Sequence, residues 1–339
     1  MAFGNRVTTT TQDVLLPKLV DTVLNSNVFA TRMLGRAKQW NGETIKQPIK
    51  VSKNSTGTSF SGFDTFSTSA TNNRVNLSYT PKFYQITVAL PLDELSANQT
   101  EAKVLDLAAT EIAGAAQDMA DDIGTLFYAD GTGNSSKDFL GLGAIVDDGT
   151  SVATIGGQSR STYSTLASTV TASGGALTLA KMATLYSAVA SGSQKPTLGL
   201  ATETVCNLYE QLLQPQERIA KDVPMIKGGY PGGTGFTGYF YKGFPILADE
   251  KATASTLFFI NEDFIDFYAL PVAMTEPVKF KSVDIQGNDY SNVKGLGFSW
   301  SGWIKPSNSA SVVGHIYLGG ELTTFNPKRH GKLTGVTSV

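Results

Sequence analysis

Residues 52–80 read SKNSTGTSFSGFDTFSTSATNNRVNLSYT, and this stretch raises the question that decides the fold. Its first 22 residues include sixteen Ser, Thr, Asn or Gly residues, and its only apolar ones are Phe60, Phe63, Phe66 and Ala70. A segment with so little apolar surface cannot offset the entropy lost on ordering by packing against itself. We therefore expect this segment to need another surface to lie on.

Both flanks of the polar segment alternate between apolar and polar residues, as strands with one buried face do. The pattern predicts strands at 43–53 and 74–90, which form one long hairpin with the polar segment at its tip. An isolated two-stranded ribbon is marginally stable in water. The three tip phenylalanines then either pack within the hairpin or insert into a neighbouring subunit.

Apolar residues spaced three and four apart predict a helix on each side of the hairpin. The first covers residues 12–36, and the second runs from about Thr100 to Ala129. At ~1.5 Å per residue, about 29 residues would make a rod of roughly 43 Å. Its apolar stripe is rich in Ala, and Gly114 and Gly124 indicate that another element packs closely against the rod.

The composition limits the classes of function that the chain can have. The 339 residues carry a net charge of −2, which gives no whole-chain argument for a nucleic-acid binder. A single cysteine excludes an intrachain disulfide and a Cys-cluster metal site, and Cys206 is expected to be a core residue, with a reactive thiol as the alternative. Without a signal-peptide pattern or a membrane-length apolar run, we expect a cytoplasm-like compartment.

The charges are distributed unevenly along the chain. Residues 1–53 hold eight Lys or Arg and three acids, residues 92–130 hold one Lys and nine acids, and residues 277–339 hold seven bases and three acids. Opposite charges in separate segments predict pairing between copies of the chain. The basic residues of one copy that we expect to meet acids of another are Arg32, Arg36, Lys38, Lys46 and Lys50. Their expected partners are Glu111, Asp118, Asp121 and Asp122.

The three aspartates of that acidic group have two other interpretations, a hard-cation site and a solvated helix face. Beyond the long helix, residues 139–275 indicate an α/β lobe with helices at 177–190 and 202–213, and residues 278–325 indicate a β-rich run.

Few residues are candidates for catalysis. His315 and His330 are the only histidines, and we expect them to be structural because no partner for general-base chemistry stands near either in sequence. Residues 233–238 match G-x-G-x-x-G, but no clear strand precedes them and no helix follows, so a flexible loop is favoured over a dinucleotide site. We expect no enzymatic activity, no cofactor and no resident metal.

The order of these elements, with the phrases PTLGLATETVCNLYEQLLQP (196–215), KGFPILADE (242–250) and FNPKRHGKLTGV (325–336), resembles the major capsid proteins of tailed bacteriophages, which have the Hong Kong 97-like fold. The resemblance implies an α+β chain of four regions. These are an N-terminal arm at 1–37, an extended β-hairpin loop at 38–91, a peripheral domain with a long spine helix at 92–138 and 276–339, and an axial domain at 139–275.

The resemblance also implies the function and the partners. Such a chain would assemble in the host cytoplasm into pentamers and hexamers of an icosahedral virion shell around double-stranded DNA, touched non-specifically on the inner face, with no membrane. A portal protein at one vertex would accompany it, with either a separate scaffolding protein or none, and either with or without a decoration protein. In that family the extended loop lies across an adjacent subunit, and the N-terminal arm clasps neighbours.

Two features of that family have no clear counterpart in this sequence. The arm helix is expected to start by residue 12, without a preceding built-in scaffold, and no motif fixes a crosslink between Lys53 and Asn326. The alternatives are a cellular nanocompartment shell, a phage tail or fibre β-protein and, last, an enzyme that uses an Asp/Glu pair.

Overall fold

The computed structural model describes residues 27–97, 107–172, 174–213, 238–270, 276–277 and 298–339, which form a mixed α+β fold. The helices are α1 (Val28–Gly35), α2 (Leu92–Ala97), α3 (Leu107–Leu126), α4 (Leu142–Ile145), α5 (Leu179–Val189) and α6 (Glu203–Leu213). The first nine strands in chain order are β1 (Lys38–Gln39), β2 (Ile45–Lys50), β3 (Arg74–Tyr79), β4 (Lys82–Pro91), β5 (Thr154–Ile155), β6 (Gln158–Ser159), β7 (Thr169–Thr171), β8 (Gly175–Ala176) and β9 (Leu198–Ala201). The later strands are β10 (Gly238–Tyr241), β11 (Phe244–Ala248), β12 (Leu257–Ile260), β13 (Ile265–Ala269), β14 (Glu276–Pro277), β15 (Phe298–Trp300), β16 (Ser311–Thr324), β17 (Gly331–Leu333) and β18 (Val336–Ser338).

The first sheet is organised around β16, which has 14 residues. Its neighbours are β4, β13 and β15, and β1 and β14 extend the sheet. Ile316 and Leu318 of β16 are fully buried, while His315 and Tyr317, on either side of Ile316, are half-buried. This alternation places one face of the strand in the core.

The predicted hairpin is confirmed in part. Strand β2 pairs antiparallel with β3 from Ile45 opposite Tyr79 to Lys50 opposite Arg74, and residues 51–73 contain no strand. The continuation of the second flank is different, because β4 pairs with β16 of the first sheet and not with β2. Pro81 lies in the break between β3 and β4, and Val88 and Leu90 of β4 are buried in the core.

The long helix lies where the sequence predicts one, and it packs on β4. Described residues place it at Leu107–Leu126, so its 20 residues span about 30 Å; residues 98–106 lie outside the described part. Met119 and Ile123 are fully buried. A Cβ on Gly124 would lie 2.5 Å from the Asn27 side chain, so the predicted close approach is confirmed there, whereas Gly114 has no atom that close.

The second sheet has the order β10-β11-β9-β12-β17-β7 and forms an α/β lobe with α5 and α6. The two helices match the predicted ones to within two residues at their starts. Thr178 caps α5, since its Oγ1 accepts a hydrogen bond of 3.2 Å from the backbone N–H of Lys181. Of the glycine-rich residues 233–238, all but Gly238 lie outside the described residues.

Strand pairing crosses the domain boundaries predicted from the sequence. Strand β13, predicted with the axial lobe of residues 139–275, belongs to the first sheet, where it pairs with β16. Strand β17, predicted with the peripheral domain of residues 276–339, pairs with β12 and β7 of the second sheet. Strand β13 therefore lies between β1 and β16, and β17 lies between β12 and β7. Each region of the sequence thus contributes a strand to the other region's sheet, which connects the two sheets.

Helix α1, the described end of the predicted arm, packs in the main core. The predicted helix at 12–36 is described only from Val28, because residues 1–26 lie outside the described part. Phe29 and Met33 are buried with the rings of Phe127 and Tyr128. The Phe29 ring centroid is 6.1 Å from that of Phe127 and 5.8 Å from that of Tyr128.

Candidate subunit-contact surfaces

The loop at residues 51–73 projects from the β2–β3 ribbon and ends in a tight turn. The backbone N–H of Ser61 donates to Oδ2 of Asp64 at 2.8 Å, and the N–H of Asp64 donates to the carbonyl of Ser61 at 3.3 Å. Gly62 is the first central residue and has a φ of +57°, which favours glycine. The turn therefore presents Phe63 at the end of the loop.

The tip phenylalanines are exposed, as the neighbour-insertion interpretation requires. The exposed fractions are 66% for Phe60, 108% for Phe63 and 57% for Phe66. Phe60 and Phe66 make an edge-to-face pair with centroids 5.1 Å apart, which is the packing that the within-hairpin interpretation predicted. This pair leaves most of each ring in solvent. Adjacent exposed aromatic rings on a polar loop indicate a binding surface.

Three of the five basic residues that the sequence assigns to contacts between copies have partners within the chain. Arg32 makes a bidentate pair with Glu262, with Nε–Oε1 and Nη2–Oε2 distances of 2.7 Å. Arg36 lies 3.8 Å from the same carboxylate. Lys38 pairs with Asp266 at 2.7 Å. Their pairing with another copy therefore remains a prediction that would require these contacts to exchange.

The acidic residues divide into two sets. Asp121 Oδ2 accepts from Lys251 Nζ at 2.6 Å, and Asp122 Oδ2 accepts from the Tyr84 hydroxyl at 2.7 Å. Glu111 and Asp118 are exposed and have no ion-pair partner among the described residues. A test of inter-copy pairing should therefore reverse Glu111 and Asp118, because reversing Asp121 would break an ion pair within its own chain.

A buried carboxylate that the sequence analysis missed holds α1 on the core. Asp249 Oδ2 accepts from the backbone N–H of Phe29 at 2.9 Å and from the Tyr128 hydroxyl at 2.9 Å, and Oδ1 accepts from the N–H of Lys251. Burial raises the pKa of Asp249 despite these hydrogen bonds. Its position in KGFPILADE gave no signal, because Phe29 and Tyr128 lie more than a hundred residues away in sequence.

Comparison with known proteins gives structural matches only. No family model matches the chain, and no curated protein matches it. A chain of the cyanophage A-1(L) capsid superposes with a TM-score of 0.74 at 16% identity, covering 99% of this chain and all of the other. The chain has the fold of tailed-phage major capsid proteins.

Other solved structures share this capsid fold. The capsid of a native GTA particle matches with a TM-score of 0.64 at 10% identity, over 99% of this chain and 100% of the other. The SrpI encapsulin of Synechococcus elongatus matches with a TM-score of 0.61 at 11% identity, over 99% of this chain and 96% of the other. At these identities the likeness establishes the fold, which the resemblance in sequence had predicted.

Three candidate reactive groups occupy structural positions in the capsid fold. His330 is fully buried, and desolvation lowers its pKa to about 3, so it is neutral at physiological pH. His315 lies on β16 with Nδ1 3.0 Å from the Thr87 hydroxyl. Cys206 is buried in the α/β lobe, where burial raises its pKa to about 12. The expectation that Cys206 is a core residue is confirmed.

Metal and membrane features were searched within the described ranges. No group of three or more His, Cys, Asp or Glu side chains in that part of the chain is arranged to hold a metal ion. None of its helices combines the length and the apolar character that crossing a bilayer would need.

Glu321 is a buried titratable group in the first sheet. Its Oε1 accepts from the backbone N–H of Leu140 at 2.6 Å, and its Oε2 lies 3.9 Å from Lys82 Nζ. Desolvation raises its pKa to about 7, although both the hydrogen bond and Lys82 act in the opposite direction. The carboxyl group is therefore protonated in the folded chain at a pH where it would be ionised in the unfolded chain.

This linkage predicts how stability depends on pH. The pKa of Glu321 is higher in the folded chain than in the unfolded chain. Its contribution to the free energy of unfolding is therefore fully present below pH 4.5 and is lost as pH rises from about 4.5 to about 7. Glu321→Gln should remove that loss, which is roughly 3 kcal/mol at most. Thermal melting at both ends of the window measures it, with exposed Glu43→Gln as the control. A Glu321→Gln variant that keeps the wild-type pH dependence would refute this assignment.

Proposed function

We propose that this chain is the major capsid protein of a tailed phage, which assembles into pentamers and hexamers of an icosahedral shell around double-stranded DNA. The observation that carries the proposal is the loop tip, whose three phenylalanines remain exposed in a chain that has the capsid fold. Fully burying a phenylalanine is worth ~1.5–3 kcal/mol. A neighbouring copy can supply the surface that the chain itself does not.

Multivalency explains how modest contacts would build a stable shell. Each copy offers a loop tip to one neighbour and receives a tip from another, so every interface is repeated around a ring. Once one contact holds a copy in place, the others form at a high effective concentration. The lattice is then far more stable than any single pair of copies.

Charge supports the same association. Lys46 and Lys50 on the ribbon are exposed, as are Glu111 and Asp118 on α3. We place these four residues at contacts between copies, with Arg32, Arg36, Lys38, Asp121 and Asp122 joining only if their partners exchange on assembly. Such surface pairs favour the correct orientation of neighbours more than they add affinity.

The proposal includes the setting of the assembled protein. The chain would assemble in the host cytoplasm and reside in the virion, with a portal protein at one vertex and with a separate scaffolding protein and a decoration protein as further partners. DNA would touch the inner face non-specifically, and a near-neutral chain suits loose packing against phosphates. We expect no catalytic activity.

A cellular nanocompartment shell is the second candidate function, and the SrpI encapsulin match favours it. That match is weaker than the one to the cyanophage capsid, with a TM-score of 0.61 against 0.74. The contents of particles purified from the native source distinguish the two functions, because a phage head holds double-stranded DNA and a nanocompartment holds protein.

Electron microscopy of the purified protein tests the proposal. We expect rings of five or six copies, closed shells, or both, and analytical ultracentrifugation should show discrete large species in the same preparation. A chain that stays monomeric at every concentration up to its solubility limit, with and without a co-expressed scaffolding protein, would contradict the assignment.

A further inference from the structure

A cavity of about 450 Å³ lies at the root of the loop, where β2 meets two segments distant in sequence. Its apolar walls include Ile49, Leu166 and Phe325, and its cationic groups belong to Lys50, Lys328 and Arg329. The volume falls within the range of about 300–1,000 Å³ that ligand pockets have. The Thr165 hydroxyl lies 3.5 Å from the carbonyl of Val51, which fixes the root of the loop beside the cavity.

The cavity has positive charge that the chain does not neutralise. No acidic residue lines it, and Lys50 and Lys328 are exposed without an ion-pair partner among the described residues. Arg329 donates from Nη1 to the carbonyl of Val189 at 3.2 Å, while its buried Nε has no hydrogen-bond partner. A carboxylate attached to an apolar group is the ligand chemistry that fits such walls.

The loop tip has this chemistry. Phe63 is the most exposed of the tip rings, and Asp64 follows it directly. Asp64 is also the only acidic residue between Glu43 and Asp93. Within its own chain the tip does not occupy the cavity, since Phe63 is fully exposed.

We propose that Phe63 and Asp64 of one copy dock in the root cavity of a second copy. The ring packs against Ile49, Leu166 and Phe325, and the carboxylate meets the cationic groups. Tip and root are different surfaces, so the contact is heterologous, and it closes into a ring when the rotation between copies is a fraction of a turn. This inference rests on the proposed function and names the receptor for the loop.

Disulfide trapping tests the docking, because the native Cys206 is buried. Asp64→Cys and Lys328→Cys are made in separate chains, mixed under assembly conditions and oxidised with oxidised glutathione, which is reduced as the two thiols join. We expect a linked pair in the mixture and none in either variant alone. A chain with both substitutions should give a covalent ladder ending at five or six copies. Asp64→Cys mixed with Ser187→Cys, an exposed site on α5, is the matched control.

Charge exchange gives a second readout that does not depend on thiols. Lys328→Glu should lower the association constant of the docking contact about tenfold, and particle yield should fall with it because the contact is repeated around the ring. Combining it with Asp64→Lys should restore most of the yield, because the pair is then reversed rather than removed.

Several results would overturn the docking. These are wild-type particles without the Asp64–Lys328 link, a ladder that stops at two copies, and a link formed only within one chain. Binding of inorganic phosphate or DNA that Lys328→Glu abolishes while particle yield stays unchanged would also overturn it, since the cavity would then be an anion site. Absence of particles from the wild-type chain would instead contradict the proposed function.

Discussion

A chain lacking residues 55–70 is expected to fold and to form few or no shells. The deleted residues contribute nothing to either core. Every residue of this segment is exposed except Thr56, which is half-buried. The shell, in contrast, loses three rings per copy. At ~1.5–3 kcal/mol for each buried phenylalanine, the loss amounts to roughly 4.5–9 kcal/mol per copy if all three rings are fully buried.

The expected result separates folding from assembly. Circular dichroism and thermal melting of the unassembled deletion variant should match the wild type, while electron microscopy shows loss of particles. Phe60→Ser, Phe63→Ser and Phe66→Ser together should reproduce the defect. Ser59→Ala, Ser67→Ala and Ser69→Ala together should not, because they change the same tip without removing a ring. Particles of unchanged yield and stability from the deletion variant would show that the loop does not hold neighbouring copies together.

Arg32→Met is expected to destabilise the unassembled chain by about 3 kcal/mol, because it removes the bidentate partner of the buried Glu262 carboxylate and leaves only Arg36, 3.8 Å away. The exposed fractions of the two side chains are 16% and 7%, so solvent replaces the lost pair poorly. Arg36 provides the matched control on the same helix. Its side chain is 42% exposed and lies 3.8 Å from the same carboxylate, so Arg36→Met should cost within ~1 kcal/mol.

Urea unfolding of the unassembled variants measures both effects. Adding Glu262→Gln to Arg32→Met should recover part of the loss, since no uncompensated charge then remains, and the double-mutant cycle gives the coupling energy. Equal losses from Arg32→Met and Arg36→Met would contradict the assignment of Arg32 as the main counter-ion of Glu262.

Local patterns predicted the elements of this fold well. The alternation on each side of the polar loop gave β2 and β3, and the spacing of Met119 and Ile123 gave α3 and its buried face. These patterns are readable because a strand or a helix repeats its contacts every few residues. The loop itself was recognisable from composition, because a segment with so few apolar residues cannot form a core of its own.

Contacts between distant segments could not be predicted in the same way. The pairing of β4 with β16 joins residues more than two hundred positions apart, and no local pattern records it. The charge imbalance of the first 53 residues predicts attraction between copies, yet Arg32 is paired with Glu262 of its own chain. The net charge of a segment indicates that its basic residues have acidic partners. Which carboxylate forms the ion pair depends on the distances that the fold sets.

The central claim is that the loop at residues 51–73 becomes ordered only against another copy. Amide hydrogen exchange, measured on the unassembled chain and on assembled particles, tests it most directly. We predict rapid exchange of this loop in the unassembled chain, slow exchange in particles, and equal protection of β12 and β16 in both states. A loop as protected in the lone chain as those core strands, or unprotected in particles, would contradict the account.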